Sequence, residues 1–359
     1  MKCNSLPVNL LIAASLISAP GIYAGELGLE PVSSQSRGAI TTAAAHRFEG
    51  VTRWLNTGAS GVGDLRGKVV VVNFWTYSCI NSLRQVPYLR AWLDKYESKG
   101  LVVIGVHSPE FGFEHDIENV RRGIQEAGVD YPVAVDNEHQ VWQAFDNNAW
   151  PALYFIDTQG RVRHVYIGEG DYAASERVIE QLLREAGSHQ PDGEPVSVKA
   201  QGVELAADWD NLRSPETYVG YGRAERFSSA AGIVQDRTQR YALPANLPSN
   251  RWAFSGNWRM GEESAIGQQG ASKVVYRFHA RDVHLVMRSS SGAPVRIRVT
   301  LDGKTPGAAH GEDTDSEGNG IVNTARMYQL IRQPSPIIDH QIEIEFLDPG
   351  PELYAFTFG

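Results

Sequence analysis

The first half of the chain alternates between short apolar runs and segments with helical periodicity. Val69–Trp75 (VVVVNFW) is β-branched and aromatic throughout, which predicts a strand covered on both faces. Residues 79–99 follow with apolar side chains at helical spacing, and Gly100 ends that predicted helix. Leu101–His107 predicts a second strand. A strand, a helix and a strand of these lengths form a parallel pair with a crossover.

The order of the predicted elements then changes. The later elements are a helix, a short helical piece, two strands joined by the turn DTQG, and a closing helix: 116–127, 141–145, Ala152–Ile156, Val162–Ile167 and 172–186. A β-α-β half followed by a β-β-α half predicts one α/β domain, which we assign to residues 46–187.

The second half of the chain loses helical periodicity. Residues 188–199 are polar, contain two prolines and are interpreted as a linker. Beyond them, short alternating segments are separated by clusters of Gly, Pro, Asp and Ser, and the predicted strands are 274–279, 282–288, Val295–Leu301, 342–347 and 353–358. This spacing predicts an all-β sandwich or jelly roll over residues 200–359.

The amino terminus has the layout of a secretory signal peptide. A lysine at position 2 precedes an apolar run over 10–17, and Ala24 offers a small residue for cleavage. The run is too short to span a bilayer, although an uncleaved anchor or a buried helix is the alternative. We therefore interpret 1–24 as a signal peptide and the Ser-, Ala- and Gly-rich residues 25–45 as a flexible tether. Export, to the periplasm, is the expected localisation.

Composition narrows the classes of function. The 359 residues carry a net charge of −9 with no basic run, so nucleic acid and anionic membrane surfaces are poor partners. Cys3 and Cys79 are the two cysteines, which excludes a disulfide-rich scaffold and a cysteine-rich metal site. The histidines show no ligand spacing, so we predict no metal and no cofactor. Cleavage after Ala24 would leave Cys79 as a lone cysteine.

Cys79 occupies a position that favours reactivity. It stands where an apolar strand gives way to a helix, and the first N–H groups of a helix and its dipole stabilise a negative charge. Such sites lower a cysteine pKa from about 8.5 to roughly 3.5–7.5. The alternative is a small buried apolar side chain, the commoner fate of a free cysteine. On position alone, we expect a thiolate nucleophile.

The segment around Cys79 resembles a known family. Residues 72–82 (VNFWTYSCINS) are similar to the active-site segment of exported thioredoxin-like proteins of the TlpA and cytochrome c maturation type. Pro87 matches the proline of the active-site helix, and Pro151 stands where the family keeps a cis-proline facing the reactive sulfur. Glu110 matches an acidic residue near the active site. The resemblance implies a thioredoxin-like fold and thiol–disulfide exchange at Cys79.

The resemblance extends into the second half. Residues 218–227, 328–330 and 345–350 are similar to the soluble C-terminal part of DipZ-type proteins, in which a thioredoxin-like domain precedes a β-sandwich resembling carbohydrate-binding modules. The implied partners are exported protein thiols or disulfides, small thiols such as glutathione, a membrane electron-transfer partner supplied by another chain, and a glycan on the C-terminal domain.

The chain departs from the family motif at one position. The family has Cys-x-x-Cys, whereas Ser82 occupies the second position here. A serine hydroxyl forms no disulfide, so the chain cannot complete the dithiol cycle unaided. Cys79 could still attack a disulfide, isomerise it or exchange with an external thiol such as glutathione; the alternative is that it stays trapped on its substrate. We expect the Ser82 hydroxyl within reach of the Cys79 sulfur; bonding to a backbone donor is the equal alternative.

The remaining candidates have two interpretations each. Glu110 is either a proton carrier or a solvated loop carboxylate, and Pro151 either holds a backbone edge open for an extended peptide or is a turn proline. Trp75, Trp150 and Tyr77 are candidate substrate contacts, with core packing as the alternative. Three functions follow from these residues: thiol–disulfide exchange, a redox-degenerate scaffold that binds a glycan or protein, and a one-cysteine peroxidase suggested by the spacing Thr-x-x-Cys.

Overall fold

The computed structural model describes residues 48–58, 61–188 and 193–359. The predicted signal peptide and tether, at 1–24 and 25–45, lie outside the described residues. Within the described ranges, no helix combines the length and apolar character needed to cross a membrane.

The first half of the described chain forms a six-stranded sheet in the order β1-β4-β3-β2-β5-β6. Its strands are β1 Arg53–Leu55, β2 Val69–Trp75, β3 Leu101–His107, β4 Val133–Val135, β5 Ala152–Ile156 and β6 Val162–Ile167. The predicted parallel pair of β2 and β3 is confirmed, and so is the antiparallel hairpin of β5 and β6. Strands β1 and β4 were not predicted, because three residues are too few to show a period. All seven residues of β2 are buried, so it is the central strand.

Four helices pack against this sheet: α1 Ile80–Tyr96, α2 Ile117–Glu126, α3 Gln140–Ala144 and α4 Tyr172–Glu185. Helix α1 contains Pro87 and passes into a 3₁₀ turn, Glu97–Lys99, instead of continuing as the single predicted helix. Gly100 then adopts φ 102°, a left-handed conformation that glycine reaches without steric cost. Further 3₁₀ turns are Gly112–His115, Gly202–Glu204 and Gly307–Ala309.

The second half forms a purely antiparallel sheet, within 193–359, of eleven strands. They are β7 Thr217–Tyr218, β8 Thr238–Tyr241, β9 Trp252–Met260, β10 Ala265–Gly267, β11 Ser272–Phe278, β12 Asp282–Ser289, β13 Val295–Leu301, β14 Asn319–Val322, β15 Arg326–Arg332, β16 His340–Phe346 and β17 Pro351–Phe358. The main path runs β14-β13-β16-β11-β9-β10-β17-β12-β15, with β7 beside β17 and β8 beside β9. The five predicted strands are present: Val295–Leu301 has the predicted ends, and the ends of the other four differ by at most two residues. The predicted fold class, an α/β domain followed by an all-β domain, is confirmed.

The two domains share a hydrophobic core. Phe111 and Phe113, from the loop after β3, pack their rings 5.1 and 4.8 Å from that of Tyr354 on β17. Val286 and Met327 of the second domain belong to the same buried cluster as helix α1. Burial of aromatic side chains is a large part of core stability, so this contact fixes the loop after β3 against the second domain.

Candidate active site at the domain interface

The reactive residue predicted from the sequence lies at the amino end of α1. Cys79 is the N-cap residue: its backbone is extended and its carbonyl accepts a hydrogen bond from the N–H of Leu83 at 3.1 Å. Its own N–H donates to the carbonyl of Thr76 at 3.3 Å, closing the turn that follows β2. The Cys79 side chain is partly exposed. The strand, turn and helix therefore place its sulfur at a helix start, as the sequence analysis expected.

Ser82 follows Cys79 by three residues, in the first turn of α1, and is fully buried. Its hydroxyl oxygen accepts a hydrogen bond from the N–H of Thr76 at 3.5 Å, so the alternative of bonding to a backbone donor is the one observed. The backbone N–H and the hydroxyl of Ser82 also favour the Cys79 thiolate over the thiol and so lower the pKa of Cys79.

The expected lowering of the Cys79 pKa is nevertheless wrong. Burial, first, and then the carboxylates of Glu216 and Glu110 raise the pKa of the Cys79 thiol to about 12, against the smaller opposing effect of Ser82. A helix start contributes only about 0.3–1 kcal/mol to a charge near it. That contribution is smaller than the combined cost of removing the thiolate from water and placing it near two negative charges. At neutral pH, resting Cys79 is a thiol.

Glu110 lies on the loop after β3 and is bound from the second domain. Its Oε1 accepts a hydrogen bond from the hydroxyl of Tyr218 at 2.6 Å and one from Nη2 of Arg223 at 3.1 Å. Its side chain is 7% exposed, so the alternative of a solvated loop carboxylate is wrong. The same side chain acts on the charge of Cys79, which places it within electrostatic reach of the sulfur.

Three residues of the second domain at this site were missed by the sequence analysis. Tyr218 on β7 is flanked by Glu216 and, after the strand, by Arg223, whose guanidinium lies 3.4 Å from the centre of the Tyr218 ring. Burial first, then the charge of Glu110, raises the pKa of Glu216. Glu216 is nonetheless exposed to solvent, and water screens part of that effect.

A second missed residue organises the loops around Cys79. The Glu114 carboxylate is fully buried, and its Oε1 accepts hydrogen bonds from the hydroxyls of Thr76 and of Ser78, the latter at 2.6 Å. Its Oε2 accepts from the backbone N–H groups of Glu110 at 2.6 Å and Phe111 at 3.0 Å. Burial first, together with the charge of Glu110, raises the pKa of Glu114 to about 7, against the hydrogen bonds from Ser78, Thr76 and the N–H of Phe111. One carboxyl group thus joins the loop that carries Cys79 to the loop that carries Glu110.

His107 completes this buried cluster at the end of β3. Its Nε2 lies 3.4 Å from the Thr76 hydroxyl, and its ring stacks on Tyr77 with centroids 5.6 Å apart. Burial lowers the pKa of His107 to about 3, so the imidazole is neutral. It therefore supports the loop by packing and carries no charge toward the sulfur.

The Trp150–Pro151 peptide bond is cis. Ala152 pairs with Phe74 across β5 and β2, so Pro151 stands level with the end of β2, where the turn to Cys79 begins. The Pro151 carbonyl accepts from the N–H of Gly168 at 2.8 Å and is already occupied.

Of the three aromatic candidates for substrate contact, two are core residues. Trp75 is 0% and Tyr77 4% exposed, so neither offers a surface to a substrate, and that assignment is corrected. Trp150 is half-buried, with its Nε1 donating to the carbonyl of Ser108 at 3.0 Å and its ring 4.3 Å from that of Trp142. It remains the one of the three with a free face.

Comparisons with known proteins agree with this architecture. Residues 48–165 match the AhpC/TSA family, and residues 214–359 match the family described as thioredoxin-like C-terminal domain. Protein DipZ of Mycobacterium tuberculosis (strain CDC 1551 / Oshkosh) is 36% identical over 260 residues, which cover 72% of this chain and 36% of DipZ. The same figures hold for DipZ of Mycobacterium bovis. The chain thus spans 36% of the length of these relatives.

Shorter relatives match the first domain. Thiol-disulfide oxidoreductase YkuV of Bacillus subtilis (strain 168) is 28% identical over 136 residues, covering 38% of this chain and 91% of YkuV. A solution structure of a thioredoxin-like protein in its oxidised form is 28% identical and covers 38% of this chain and 91% of that one, with a TM-score of 0.35. The chain is therefore a thioredoxin-like protein, similar to DipZ, in which residues 48–165 match the AhpC/TSA family and residues 214–359 match the family of thioredoxin-like C-terminal domains.

Proposed function

We propose that this chain catalyses thiol–disulfide exchange on exported proteins or small disulfides, with Cys79 as the nucleophile. The observation that carries the proposal is the placement of a partly exposed cysteine at the start of α1, with Ser82, whose N–H and hydroxyl favour the thiolate, in the first turn of the same helix. Similarity to DipZ and to thiol–disulfide oxidoreductase YkuV supports the same reaction class.

The reaction proceeds by two exchanges. The Cys79 thiolate attacks one sulfur of a substrate disulfide; a bond forms between the two sulfurs while the substrate disulfide breaks, and the expelled thiolate takes up a proton. A second thiolate then attacks the mixed disulfide and releases Cys79. Because Ser82 has no sulfur, that second thiolate comes from the substrate itself or from an external thiol such as glutathione. Electrons only pass between sulfurs, so the exchange needs no other oxidant.

The residues around Cys79 have separate roles in the proposed reaction. The Ser82 hydroxyl and N–H stabilise the thiolate before attack and when it is regenerated. Glu110 is the proposed proton carrier, held in place by Tyr218 and Arg223. Pro151 and Trp150 form the side on which an extended substrate docks, at the level of the end of β2.

Export to the periplasm is part of the proposal and has its own test. Residues 1–24 have the pattern of a signal peptide, and redox exchange of this kind fits an oxidising compartment. Mass spectrometry of the protein from a periplasmic fraction should give a chain that begins at Gly25. Retention of the intact chain in the cytoplasm would contradict export without affecting the chemistry.

The chemistry is tested by restoring the second thiol. Ser82→Cys places a second sulfur in the first turn of α1, three residues after Cys79, so disulfide reduction by dithiothreitol should accelerate at least about tenfold over the natural sequence. Cys79→Ser is the matched control and should have no activity in either background. If Ser82→Cys gains nothing and Cys79→Ser equals the natural sequence, exchange is excluded and a binding scaffold is favoured.

The peroxidase alternative has less support at the site. The Thr76 hydroxyl of the Thr-x-x-Cys spacing is bonded to Glu114 inside the buried cluster and lies 3.4 Å from His107. It is therefore engaged away from solvent rather than free to orient a peroxide. Rapid sulfenic acid formation at Cys79 with hydrogen peroxide would reverse this assessment.

A further inference from the structure

The loop after β3 contains a 3₁₀ turn, Gly112–His115, that is fastened to the second domain. The N–H of Gly112, the first residue of the turn, donates to Oε1 of Glu263 at 2.7 Å. Glu263 lies between β9 and β10 of the second domain. Directly before the turn, the ring of Phe111 packs 5.1 Å from that of Tyr354 on β17. Contacts with the second domain therefore set the position of this turn.

The same 3₁₀ turn carries Glu114, whose carboxylate binds the residues beside Cys79. Its Oε1 accepts from the hydroxyls of Thr76 and Ser78, and Ser78 directly precedes Cys79. The Thr76 carbonyl in turn accepts from the N–H of Cys79 at 3.3 Å. Thr76, Ser78 and Glu114 are each at most 1% exposed, so these bonds are shielded from water. A continuous path of backbone and hydrogen bonds thus connects Glu263 of the second domain with Cys79.

We propose that Glu114 and Glu263 are positioning residues for exchange at Cys79. Glu263 fixes the 3₁₀ turn from the second domain, and Glu114 uses that fixed turn to orient the segment that holds the sulfur. The inference rests on the proposed function, since it concerns the direction in which Cys79 attacks a disulfide. Both residues act through others, so neither is a catalytic residue.

The physical argument concerns the geometry of exchange. Displacement at a disulfide requires the attacking, central and leaving sulfurs to lie nearly in a line, and a misplacement of about 1 Å can slow a reaction about a hundredfold. A small alkylating reagent reaches a thiolate from more directions. Both reactions start from the same thiolate, so a change in the pKa of Cys79 affects both rates and largely cancels in their ratio. That ratio therefore reports the orientation of the sulfur.

The test measures the rate of mixed disulfide formation with oxidised glutathione divided by the rate of alkylation with iodoacetamide. Both rates are followed at Cys79 of the full chain by peptide mass spectrometry. Glu114→Ala removes the acceptor of four donors and should lower the ratio at least about tenfold.

Glu114→Gln is the conservative variant and should keep the natural ratio. Its side-chain oxygen can accept from the backbone N–H groups of Glu110 and Phe111, whose directions are fixed. The hydroxyls of Thr76 and Ser78 can rotate and accept from the new amide nitrogen, because a hydroxyl both donates and accepts. Rescue by glutamine would show that the bonds, and not the charge, orient Cys79.

The contribution of the second domain has its own variants. Glu263→Ala removes the acceptor of the Gly112 N–H and should lower the same ratio about two- to tenfold, whereas Glu263→Gln keeps an acceptor and should keep the ratio. Glu262→Ala, at the exposed residue next to it, is the matched control and should change nothing. In the Glu114→Ala background, Glu263→Ala should have no further effect, because Glu263 acts through Glu114.

An unchanged ratio in Glu114→Ala, with the chain shown to be folded by circular dichroism, would overturn the inference, and so would additive effects of the two alanine variants. If Glu114→Ala unfolds, Glu263→Ala and Glu263→Gln decide the matter, and equal ratios for that pair reject the inference. Mixed disulfide formation in the natural sequence, with the ratio unchanged in the variants, would leave the proposed function standing. The absence of any mixed disulfide at Cys79 would reject both.

Discussion

Replacing Glu114 with alanine removes the group that joins the two loops of the site. Four donors lose their acceptor: the hydroxyls of Thr76 and Ser78, and the backbone N–H groups of Glu110 and Phe111. The hydroxyls can turn to other acceptors. The two N–H groups are fixed by the backbone, and a buried donor without an acceptor costs about 1–3 kcal/mol.

The expected loss is therefore about 2–6 kcal/mol of unfolding free energy at pH 6. Urea denaturation followed by tryptophan fluorescence measures it, with the slope of the transition unchanged. Glu118→Ala is the matched control, because Glu118 is 75% exposed on neighbouring α2, and it should change stability by less than about 0.5 kcal/mol. A loss below about 1 kcal/mol for Glu114→Ala would refute the reasoning, since the loops would then be held without the carboxylate.

Two further predictions concern buried charges. The folded-state pKa of Glu114 is raised to about 7, so the folded chain keeps a proton that the unfolded chain releases. The free energy of unfolding should therefore fall by on the order of 3 kcal/mol as pH rises from 4.5 to 7. Glu114→Gln should abolish this pH dependence in urea titrations. Arg84 is 1% exposed and lies 3.5 Å from Glu169 and 3.9 Å from Asp282 of the second domain, so Arg84→Ala should lower the free energy of unfolding by about 3–5 kcal/mol. Arg296→Ala, at a side chain that is 64% exposed, is the control and should lower it by no more than about 1 kcal/mol. Equal losses for the two variants would contradict the account.

The sequence predicted the strands and helices that are long enough for several consecutive residues to show a hydrophobic pattern. Strands β2 and β3 are seven apolar or near-apolar residues each and were predicted with their ends. Strands β1 and β4 are three residues long, so no alternation could reveal them. Strand β9 was missed although it has nine residues, because Ser, Gly and Asn interrupt its apolar alternation.

The site was predictable only where it is local in sequence. Cys79 and Ser82 share one helical turn, so their proximity follows from the spacing. Tyr218 and Arg223 contact Glu110 across more than a hundred residues, and nothing in the pattern of either domain indicates those contacts. Glu114 was hidden for a different reason: its short 3₁₀ turn has no period, and a glutamate there suggests solvent rather than burial.

The pKa of Cys79 was predicted in the wrong direction for the same reason. Position at a helix start is visible in the sequence, whereas the burial of the thiol and the charges of Glu216 and Glu110 near it are not. The local effect favours the thiolate, and the tertiary effects are larger and favour the thiol.

The central claim is that Cys79 of the folded protein exchanges with disulfides. Intact and peptide mass spectrometry after incubation with oxidised glutathione, with and without urea, measures this directly. The account predicts one glutathione adduct, of about 305 Da, on Cys79 of the folded chain, its removal by dithiothreitol, and its absence in Cys79→Ser. An adduct at Cys79 that forms only after unfolding in urea would contradict the claim, because the sulfur would then be closed to any substrate in the native fold.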